Sequence, residues 1–534
     1  MTMQPTDSGS GGEQETSTET LGKPVDSLRS RYFYKMSASG MSMMSGLLNY
    51  MFLSRGLGPV GVGKYNFLVN FFDQTFNLLD SGTLRHVYNR ISQGRETKEW
   101  MGFYLLYLAG MALLVFVAVG IAIFSGFSQW IWPGQEHVYI IAAMLISLIL
   151  WTMQVMAQFA DAGGLTVKTE RIRILQSVSG SFLLGLFFLA GYLTLSSYFL
   201  LNYFIYGTLI LVWIRILGKS GFRIFEKIRL HRERIVKFVP ETWRFIRPLV
   251  LYSVVGIMVG IFEKWLLQVF GGAIEQGYFW FGLRVQQFCI MFTMAFMPLI
   301  VREYAIAHDQ GDNERVVGLY KRYIPLFVLF AGYLAFFVAV EAEKLTFIVG
   351  GKQFKDSSIV TAILMFQAIY FPIGNFTSSL YLATGRTALY SGIGIVGVLA
   401  GLPITFFLVA PSAYYGLGLG AVGLAIKMII AELFITNYYL YYICRIYRMP
   451  FRAIMQIQIT VPIFLLGIAV FAEKTVDYFI PGLISSFLVE GVLYTALTVA
   501  GVALFPGIFG VNRADIERNL LQPIGRLLSK KQGG

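Results

Sequence analysis

The sequence predicts an all-α polytopic membrane protein with about fourteen transmembrane helices, and three observations carry that prediction. Only 14% of the 534 residues are charged, whereas a soluble domain averages about 25%. The chain is 56% hydrophobic, with a mean hydropathy of +0.62. Apolar runs such as 101–124 and 174–193 have the length that a helix needs to cross the hydrocarbon core of a bilayer.

The two ends of the chain differ in composition from its middle. Residues 1–28 are rich in Ser, Thr, Gly and Glu and are predicted to form a disordered cytoplasmic tail without a cleaved signal peptide. Residues 507–534 are predicted to form a basic cytoplasmic tail. Both cysteines, Cys289 and Cys444, lie in apolar segments, so we expect neither a disulfide framework nor a metal cluster.

Apolar stretches locate the candidate spans to within a few residues. The spans fall near 31–54, 64–90, 100–125, 137–160, 172–192, 195–217, 248–270, 278–302, 323–341, 358–383, 387–410, 416–444, 453–471 and 479–506. The fifth and sixth are close together and the twelfth is interrupted by polar residues, so twelve or thirteen spans remain open.

Lysine and arginine crowd every second connection between the spans. Ten of them occur from Arg215 to Arg247. Four of the alternate connections have none: 126–136, 193–194, 271–277 and 411–415. The exceptions to the alternation are Arg55, Lys64, Lys344, Lys352, Lys355 and Lys474. Because basic residues are retained in the cytoplasm, both termini are predicted to lie inside the plasma membrane. The net charge of +13 then reflects topology and attraction to anionic lipids, and nucleic-acid binding is not expected.

An internal repeat divides the chain into two blocks of six spans. "LGPVGVGKYNF" at 57–67 aligns with "GGAIEQGYFWF" at 271–281 at an offset of 214, which pairs Gly58 with Gly272 in the predicted loop after the first span of each block. Parallel repeats of this kind enclose a binding site in the cleft between two lobes. The predicted domains are an N-lobe at 29–217, a basic amphipathic linker on the inner leaflet at 218–247, a C-lobe at 248–445 and two further spans at 446–506.

A polar stripe follows the second span. Asn66, Asn70, Asp73, Asn77 and Asp80 recur every three or four residues and therefore share one face of a helix. Exposing Asp73 and Asp80 to lipid would cost about 2.5–3.5 kcal/mol each on an insertion scale. An interhelical hydrogen-bond network would account for one or two such residues. Five in line favour a hydrated cleft, with Asp73 as the better candidate to contact a ligand or a coupling cation and Asp80 serving a structural role.

Applied to this stripe, the repeat offset selects Trp280, Arg284, Gln287, Met291 and Met294 on the equivalent helix of the second block. Ionisable residues inside a membrane are functional candidates, although an internal ion pair would explain any single one. The predicted lining of the central cleft is Arg284, Lys264, Asp73, Asn70, Asn77, Gln287, Asn66 and Lys427. The predicted structural or coupling ion pairs involve Asp80, Arg85, Glu263 and Glu432. The sequence has no phosphate-binding loop of the Gly-x-x-x-x-Gly-Lys-Ser/Thr type and no histidines at metal-ligand spacing, so no cofactor or metal is expected.

The stretch "LSRGLGPVGVGKYNFLVNFFDQTFNLLDSGTLRHVYNRIS" resembles the N-terminal signature of the polysaccharide exporters and lipid-linked oligosaccharide (O-antigen-type) flippases. This family belongs to the multidrug/oligosaccharidyl-lipid/polysaccharide (MOP) transporter superfamily. The shared features are R-x-L-G-P at 55–59, G-x-Y at 63–65, D-x-G at 80–82 and the inner Arg90. In the second block, "EKWLLQVFGGAIEQGYFWFGLRVQQF" is similar to the family's acidic-residue and glycine-loop pattern, with Glu263 at the acidic position.

This resemblance implies two six-helix lobes around a central cleft, two extra C-terminal helices and alternating access that carries a polyprenyl-linked glycan outward. The partners that it implies are the lipid-linked glycan, membrane lipids and glycan polymerase or glycosyltransferase machinery. Two alternatives stay open. A cation-coupled drug exporter of the same fold would need an acidic cavity without cations, and a membrane glycan polymerase or glycosyltransferase would need a large catalytic loop with clustered carboxylates.

Overall fold

The computed structural model describes residues 28–94, 97–219 and 232–510, and no β-strand occurs in these ranges. The α-helices are α1 (Leu28–Asp80), α2 (Thr83–Ser92), α3 (Thr97–Phe124), α4 (Ser128–Ile131), α5 (His137–Ala162), α6 (Thr166–Leu189), α7 (Leu195–Lys219), α8 (Arg232–Asp309), α9 (Asn313–Val340), α10 (Ala342–Gly350), α11 (Ser357–Ala383), α12 (Thr387–Val409), α13 (Gly420–Ile446), α14 (Phe451–Phe479) and α15 (Leu483–Leu504). The predictions for the N-terminal tail, for most of the C-terminal tail and for the centre of the basic linker lie outside the described residues.

Two of these helices, α1 and α8, each contain two predicted spans joined without a loop. Each has one non-helical residue, Gly58 with φ 63° and ψ −178° and Gly272 with φ 68° and ψ −166°. A positive φ is a conformation that glycine adopts at little cost. The predicted loop after the first span of each block is therefore wrong, because the chain remains helical through a kink. The predicted second span also ends early, at Asp80, where a turn leads into α2.

The predicted fold class is confirmed. Divided at their kinks, α1 and α8 bring the long helical segments of the described chain to fourteen, in the predicted order. When α1 and α8 are each counted as one helix, eleven of the described helices are long and apolar enough to cross a membrane. The helix α1, which carries the polar stripe, is not among these eleven. The domain boundaries at 29–217, 218–247, 248–445 and 446–506 stay predictions.

The two kinks pack against each other with the symmetry of the repeat. A Cβ atom built on Gly63 would overlap the carbonyl oxygen of Ala273, and one built on Gly277 would overlap the carbonyl oxygen of Pro59. Gly277 and Ala273 are the equivalents of Gly63 and Pro59 at the offset of 214. The two helices thus approach each other through glycine in both directions, and we call this end of the bundle the kink end.

Each kinked helix also donates hydrogen bonds to the opposite block. Ser54 Oγ donates to the carbonyl of Val349, in the last turn of α10, at 3.1 Å. Gln268 Nε2, at the position equivalent to Ser54, donates to the carbonyl of Pro133 at 3.0 Å, just after α4. These reciprocal hydrogen bonds hold the two lobes together at the kink end.

A second pair of contacts reinforces this closure. Arg55 Nη2 donates to the carbonyl of Ile348 at 2.6 Å, and Trp265 Nε1 donates to the carbonyl of Trp130 at 2.9 Å. Buried apolar side chains of α1 and α8, among them Leu53, pack together beside these contacts as a core shared by both lobes. The structure is therefore closed at the kink end.

Candidate functional site

A polar cavity of about 290 Å³ lies within the N-lobe, among α1, α5, α6 and α7. Neutral amides and hydroxyl groups make up most of its polar lining. The polar lining residues are Ser42, Asn49, Arg173, Gln176, Ser177, Tyr198, Asn202 and Tyr206.

The cavity has hydrogen-bonding capacity that the protein does not use internally. Asn49 Oδ1 is buried and accepts no hydrogen bond from the described residues. Such an acceptor is costly unless water or a ligand supplies a donor. The one charged residue of the lining, Arg173, is balanced within α6, because its Nε lies 3.2 Å from Glu170 Oε2. The cavity therefore offers mainly neutral donors and acceptors.

Arg284 lies on α8, and its side chain contacts α1 of the N-lobe. Its guanidinium lies 5.8 Å from the ring centroid of Tyr50, the residue after Asn49 on α1, which is a cation–π contact. Its Nη1 donates to Gln287 Oε1 at 3.2 Å, and both side chains are exposed. Within the described part of the chain, Arg284 forms no ion pair with a carboxylate. A fixed positive charge thus stands between the lobes without a neutralising partner there.

Arg284 lies near the N-lobe cavity through its contact with Tyr50, although it is not one of the lining residues. The rings of Tyr65 and Tyr198 pack edge to face with centroids 4.7 Å apart. Arg284 of α8 therefore contacts α1 one residue away from Asn49, which belongs to the cavity wall.

Most of the predicted stripe bonds within its own helix. The buried Asn66 donates through Nδ2 to the carbonyl of Val62 at 2.9 Å. Asn77 Nδ2 donates to the backbone oxygen of Asp73 at 2.9 Å and lies 3.5 Å from its carboxylate. Asn70 and Asp73 are half-buried. The described contacts do not join this stripe to Arg284, and its role in lining a cleft stays a prediction.

Asp80 stabilises the turn between α1 and α2. Its carboxylate accepts from the backbone N–H groups of Gly82 and Leu84, each at 3.1 Å, and from Tyr104 Oη at 2.7 Å. Arg85 is exposed. In the described structure Asp80 is therefore held by hydrogen-bond donors and not by an ion pair with Arg85.

The acidic residue of the second block belongs to a buried ion pair. Glu263 pairs with Lys427 on α13 and accepts from Thr405 Oγ1 at 3.2 Å. Lys264 Nζ lies 3.9 Å from the other oxygen of Glu263. Glu263 and Lys427 are both buried, so this pair joins α8, α12 and α13 inside the C-lobe.

The predicted site residues fall into separate groups. Glu432 accepts from Thr436 Oγ1 at 3.1 Å on the same helix. The other groups are Arg284 with Gln287, Glu263 with Lys264 and Lys427, Asp73 with Asn77, and Asp80 with its turn. Among the described residues, no hydrogen bond or ion pair joins one of these groups to another.

The sequence reasoning missed the neutral lining of the N-lobe cavity. The signal was present, since two further helices carry polar residues at a spacing of three or four. These residues are Ser42, Ser45 and Asn49 on the first span, and Tyr198, Asn202 and Tyr206 on the sixth. They are a weaker signal than ionisable residues, because a neutral amide or hydroxyl group costs less to bury in a membrane than a charge does.

No protein-family model and no curated protein matches the chain in sequence. Solved structures match it in fold. The lipid II flippase MurJ in an inward closed conformation has a TM-score of 0.66 and 12% identity over 89% of this chain and 98% of its own. An inward-facing multidrug resistance MATE family transporter of the MOP superfamily has a TM-score of 0.55 and 16% identity over 78% and 98%. A Pyrococcus furiosus MOP superfamily transporter, described by a reverse polarity of its binding pocket, has a TM-score of 0.52 and 14% identity over 82% and 99%. The chain therefore has the fold of MOP superfamily transporters.

Proposed function

We propose that the protein is a flippase, and not an enzyme, that translocates a lipid-linked (polyprenyl-pyrophosphate) oligosaccharide across the plasma membrane by alternating access. Both termini lie in the cytoplasm in this proposal, and glycan polymerase or glycosyltransferase machinery uses the product. The observation that carries the proposal is the exposed guanidinium of Arg284, placed between the lobes without a described carboxylate partner.

A pyrophosphate is the group that this guanidinium suits. Arginine stays charged at every physiological pH and presents parallel N–H donors that match phosphate oxygens. Charge-assisted hydrogen bonds of this kind are about twice as strong as neutral ones. An unpaired charge within a membrane is expensive and is retained for function. A substrate phosphate would compensate Arg284 when the head group enters.

The N-lobe cavity suits the sugar part of the same head group. Amides and hydroxyls both donate and accept hydrogen bonds, as sugar hydroxyls do. At about 290 Å³ the cavity is near the lower end of ligand pockets, which span roughly 300–1,000 Å³. We therefore expect it to hold part of an oligosaccharide, with the phosphates at Arg284 and the polyprenyl chain left in the lipid.

A cation-coupled drug exporter is the second candidate, and Asp73 is the observation that favours it. Its half-buried carboxylate has Asn77 as its only described side-chain partner and would attract an organic cation. The fold does not decide between the two functions, because both a lipid II flippase and a MATE transporter share it. Arg284 weighs against the exporter, since it would repel a cation from the cleft.

The test is lipid flipping in proteoliposomes that contain the purified full chain and a fluorescent undecaprenyl-pyrophosphate oligosaccharide. We expect Arg284→Ala to lower the rate at least tenfold, and Arg284→Lys to retain part of it, because the charge survives and the planar fork does not. Arg302→Ala, at an exposed arginine of the same helix, is the matched control. Wild-type flipping by Arg284→Ala would remove the main support for the proposal, and wild-type protein that exports cationic dyes but flips no lipid would establish the second candidate.

A further inference from the structure

A cluster of ionisable residues lies where the C-lobe meets the two C-terminal helices, and the proposed function does not use it. At its centre is Lys344 on α10. Its Nζ lies 2.5 Å from Glu490 Oε1 on α15, 2.8 Å from Asp477 Oδ1 on α14 and 3.2 Å from Glu341 Oε2. One ammonium group thus connects three helices through three carboxylates.

This cluster contains more acidic than basic groups, and two of its carboxylates are buried. Glu490 is 0% exposed and Glu341 is 2% exposed. The charged groups of α14 beside them are Glu473, Lys474 and Asp477. Four carboxylates therefore face two lysines when all are ionised. Burying uncompensated charge costs several kcal/mol per ion, so the arrangement favours uptake of a positive charge.

The position of that charge is indicated by an unused acceptor. Glu490 Oε2 is buried and accepts no hydrogen bond from the described residues. Its neighbour is the carboxyl group of Glu341, within hydrogen-bonding range. One proton on Glu341 would supply the missing donor and remove one negative charge. Two carboxyl groups that share a site hold a proton in this way, since they resist simultaneous ionisation.

The electrostatics of Glu341 agree with this geometry. Burial and the neighbouring Glu490 raise the pKa of Glu341 to about 8, even though Lys344 opposes the shift. Glu341 lies in the connection between α9 and α10. Near neutral pH it therefore holds a proton that an ordinary glutamate would have lost.

The short helix α10 connects the cluster to the contacts that close the kink end. Lys344 lies in the first turn of α10, and the last turn of the same helix carries the carbonyls of Ile348 and Val349. These carbonyls accept the hydrogen bonds of Arg55 and Ser54 from the N-lobe. Whatever fixes the start of α10 against α14 and α15 therefore also fixes the acceptors that hold the lobes together.

We propose that Glu341 and Glu490 form a proton-binding site whose occupied state stabilises the closed kink end. With the proton bound, Lys344 balances the remaining carboxylates and α10 is held as in this structure. When the proton leaves, Glu341 and Glu490 repel each other and α10 loses its fixed position. The raised pKa makes this stabilisation complete at low pH and lost as the pH rises to about 8.

The proton itself is measured by infrared titration of the purified full-length protein, which follows the carbonyl stretch of protonated carboxyl groups. We expect a band that disappears as the pH rises through about 8 and that is missing in Glu341→Gln and in Glu490→Gln. Glu343→Gln, at an exposed residue beside the cluster that pairs with Lys355, should keep the band. A wild-type protein without such a band, or variants that retain it, would overturn the proposal.

The link to closure is measured by thiol labelling of Ser54→Cys in detergent, in a background with Cys289 and Cys444 replaced by serine. Ser54 is fully buried under Val349 in the closed state. We expect labelling to quicken as the pH rises, by about tenfold for each unit by which opening lowers the pKa of the site. Glu341→Gln, which is permanently uncharged, should label slowly at every pH. Equal pH dependence in Glu341→Gln and wild type would refute the link. Both measurements need no substrate, so they stand or fall apart from the flippase proposal.

Discussion

Asp73 and Asp80 lie two turns apart on α1, about 10 Å along the axis, and their surroundings differ. Asp80 is 5% exposed and accepts three hydrogen bonds that fix the start of α2, whereas Asp73 is half-buried beside Asn77. The same residue type on one helix face therefore serves two environments. Substitution by asparagine keeps the shape of each side chain and removes the charge, so it separates their roles.

Asp80→Asn should lower the amount of folded protein. The carboxylate of Asp80 accepts hydrogen bonds through both oxygens, whereas asparagine has an NH₂ group in place of one of them. At least one buried donor then loses its acceptor, which costs about 1–3 kcal/mol. The measurement is the fraction of monodisperse protein that survives heating in detergent. Asp309→Asn, at the exposed last residue of α8, serves as the control. Unchanged thermal survival of Asp80→Asn would show that these hydrogen bonds contribute little.

Asp73→Asn should fold normally and transport less per molecule. This expectation rests on the proposed flippase function and on a hydrated position for the half-buried carboxylate. Flipping in proteoliposomes, normalised to inserted protein, measures it. If Asp73→Asn flips lipid at the wild-type rate, the stripe serves packing, and the N-lobe cavity with Arg284 is sufficient.

At the scale of residues, the sequence indicated the charges of the candidate site better than its neutral walls. Arg284 was identifiable because an arginine inside a span is expensive and the repeat aligned it with the polar stripe. Asn49 and Asn202 were not, because a neutral amide costs far less to bury and often bonds its own helix, as Asn202 does with Tyr198. Lys427 was predicted to line the cleft, but in the structure it is buried in an ion pair with Glu263. The two residues are 164 positions apart, and only the fold brings them together.

At the scale of elements, the two kinked helices were the least predictable feature. "LGPVG" combines glycine and proline, which favour turns, so a loop was expected there. Pro59 instead lies in the first turn of the helical segment that follows Gly58, where its missing N–H has no partner to lose. The equivalent Gly272 has no proline after it and kinks in the same way. The contact between the two kinks, which no local pattern encodes, selects this conformation.

Gly63→Ala and its repeat equivalent Gly277→Ala should both destabilise the closed kink end. A methyl group at either position overlaps a backbone carbonyl of the opposite block, and overpacking of this kind costs about 1–3 kcal/mol. Faster thiol labelling of Ser54→Cys in both variants would report it. Gly120→Ala, at a helical glycine with open space around it, should label like the parent protein. An effect at only one of the two glycines would contradict the symmetry of the contact.

At the scale of the whole molecule, the order of the long helices followed from apolar length alone, but their sidedness rests on charge. With both termini cytoplasmic, cysteines at Tyr415 and Glu136 should react in intact cells with an impermeant thiol reagent, and cysteines at Glu314 and Arg448 should not. All four positions are exposed. The structure guides the choice, because Ser128 and Gln276 lie on the same predicted outer side but are buried. Reversed labelling would overturn the predicted orientation.

The reciprocal contacts at the kink end have a consequence for the origin of the chain. The kinked helix of each half contacts the other half through equivalent residues. Two identical subunits form a self-complementary interface of this kind about a two-fold axis. A single ancestral half would have closed the membrane as a homodimer, with one residue acting as both Ser54 and Gln268. The two halves now differ at equivalent positions: Val269 corresponds to Arg55, and Asn70 corresponds to Arg284.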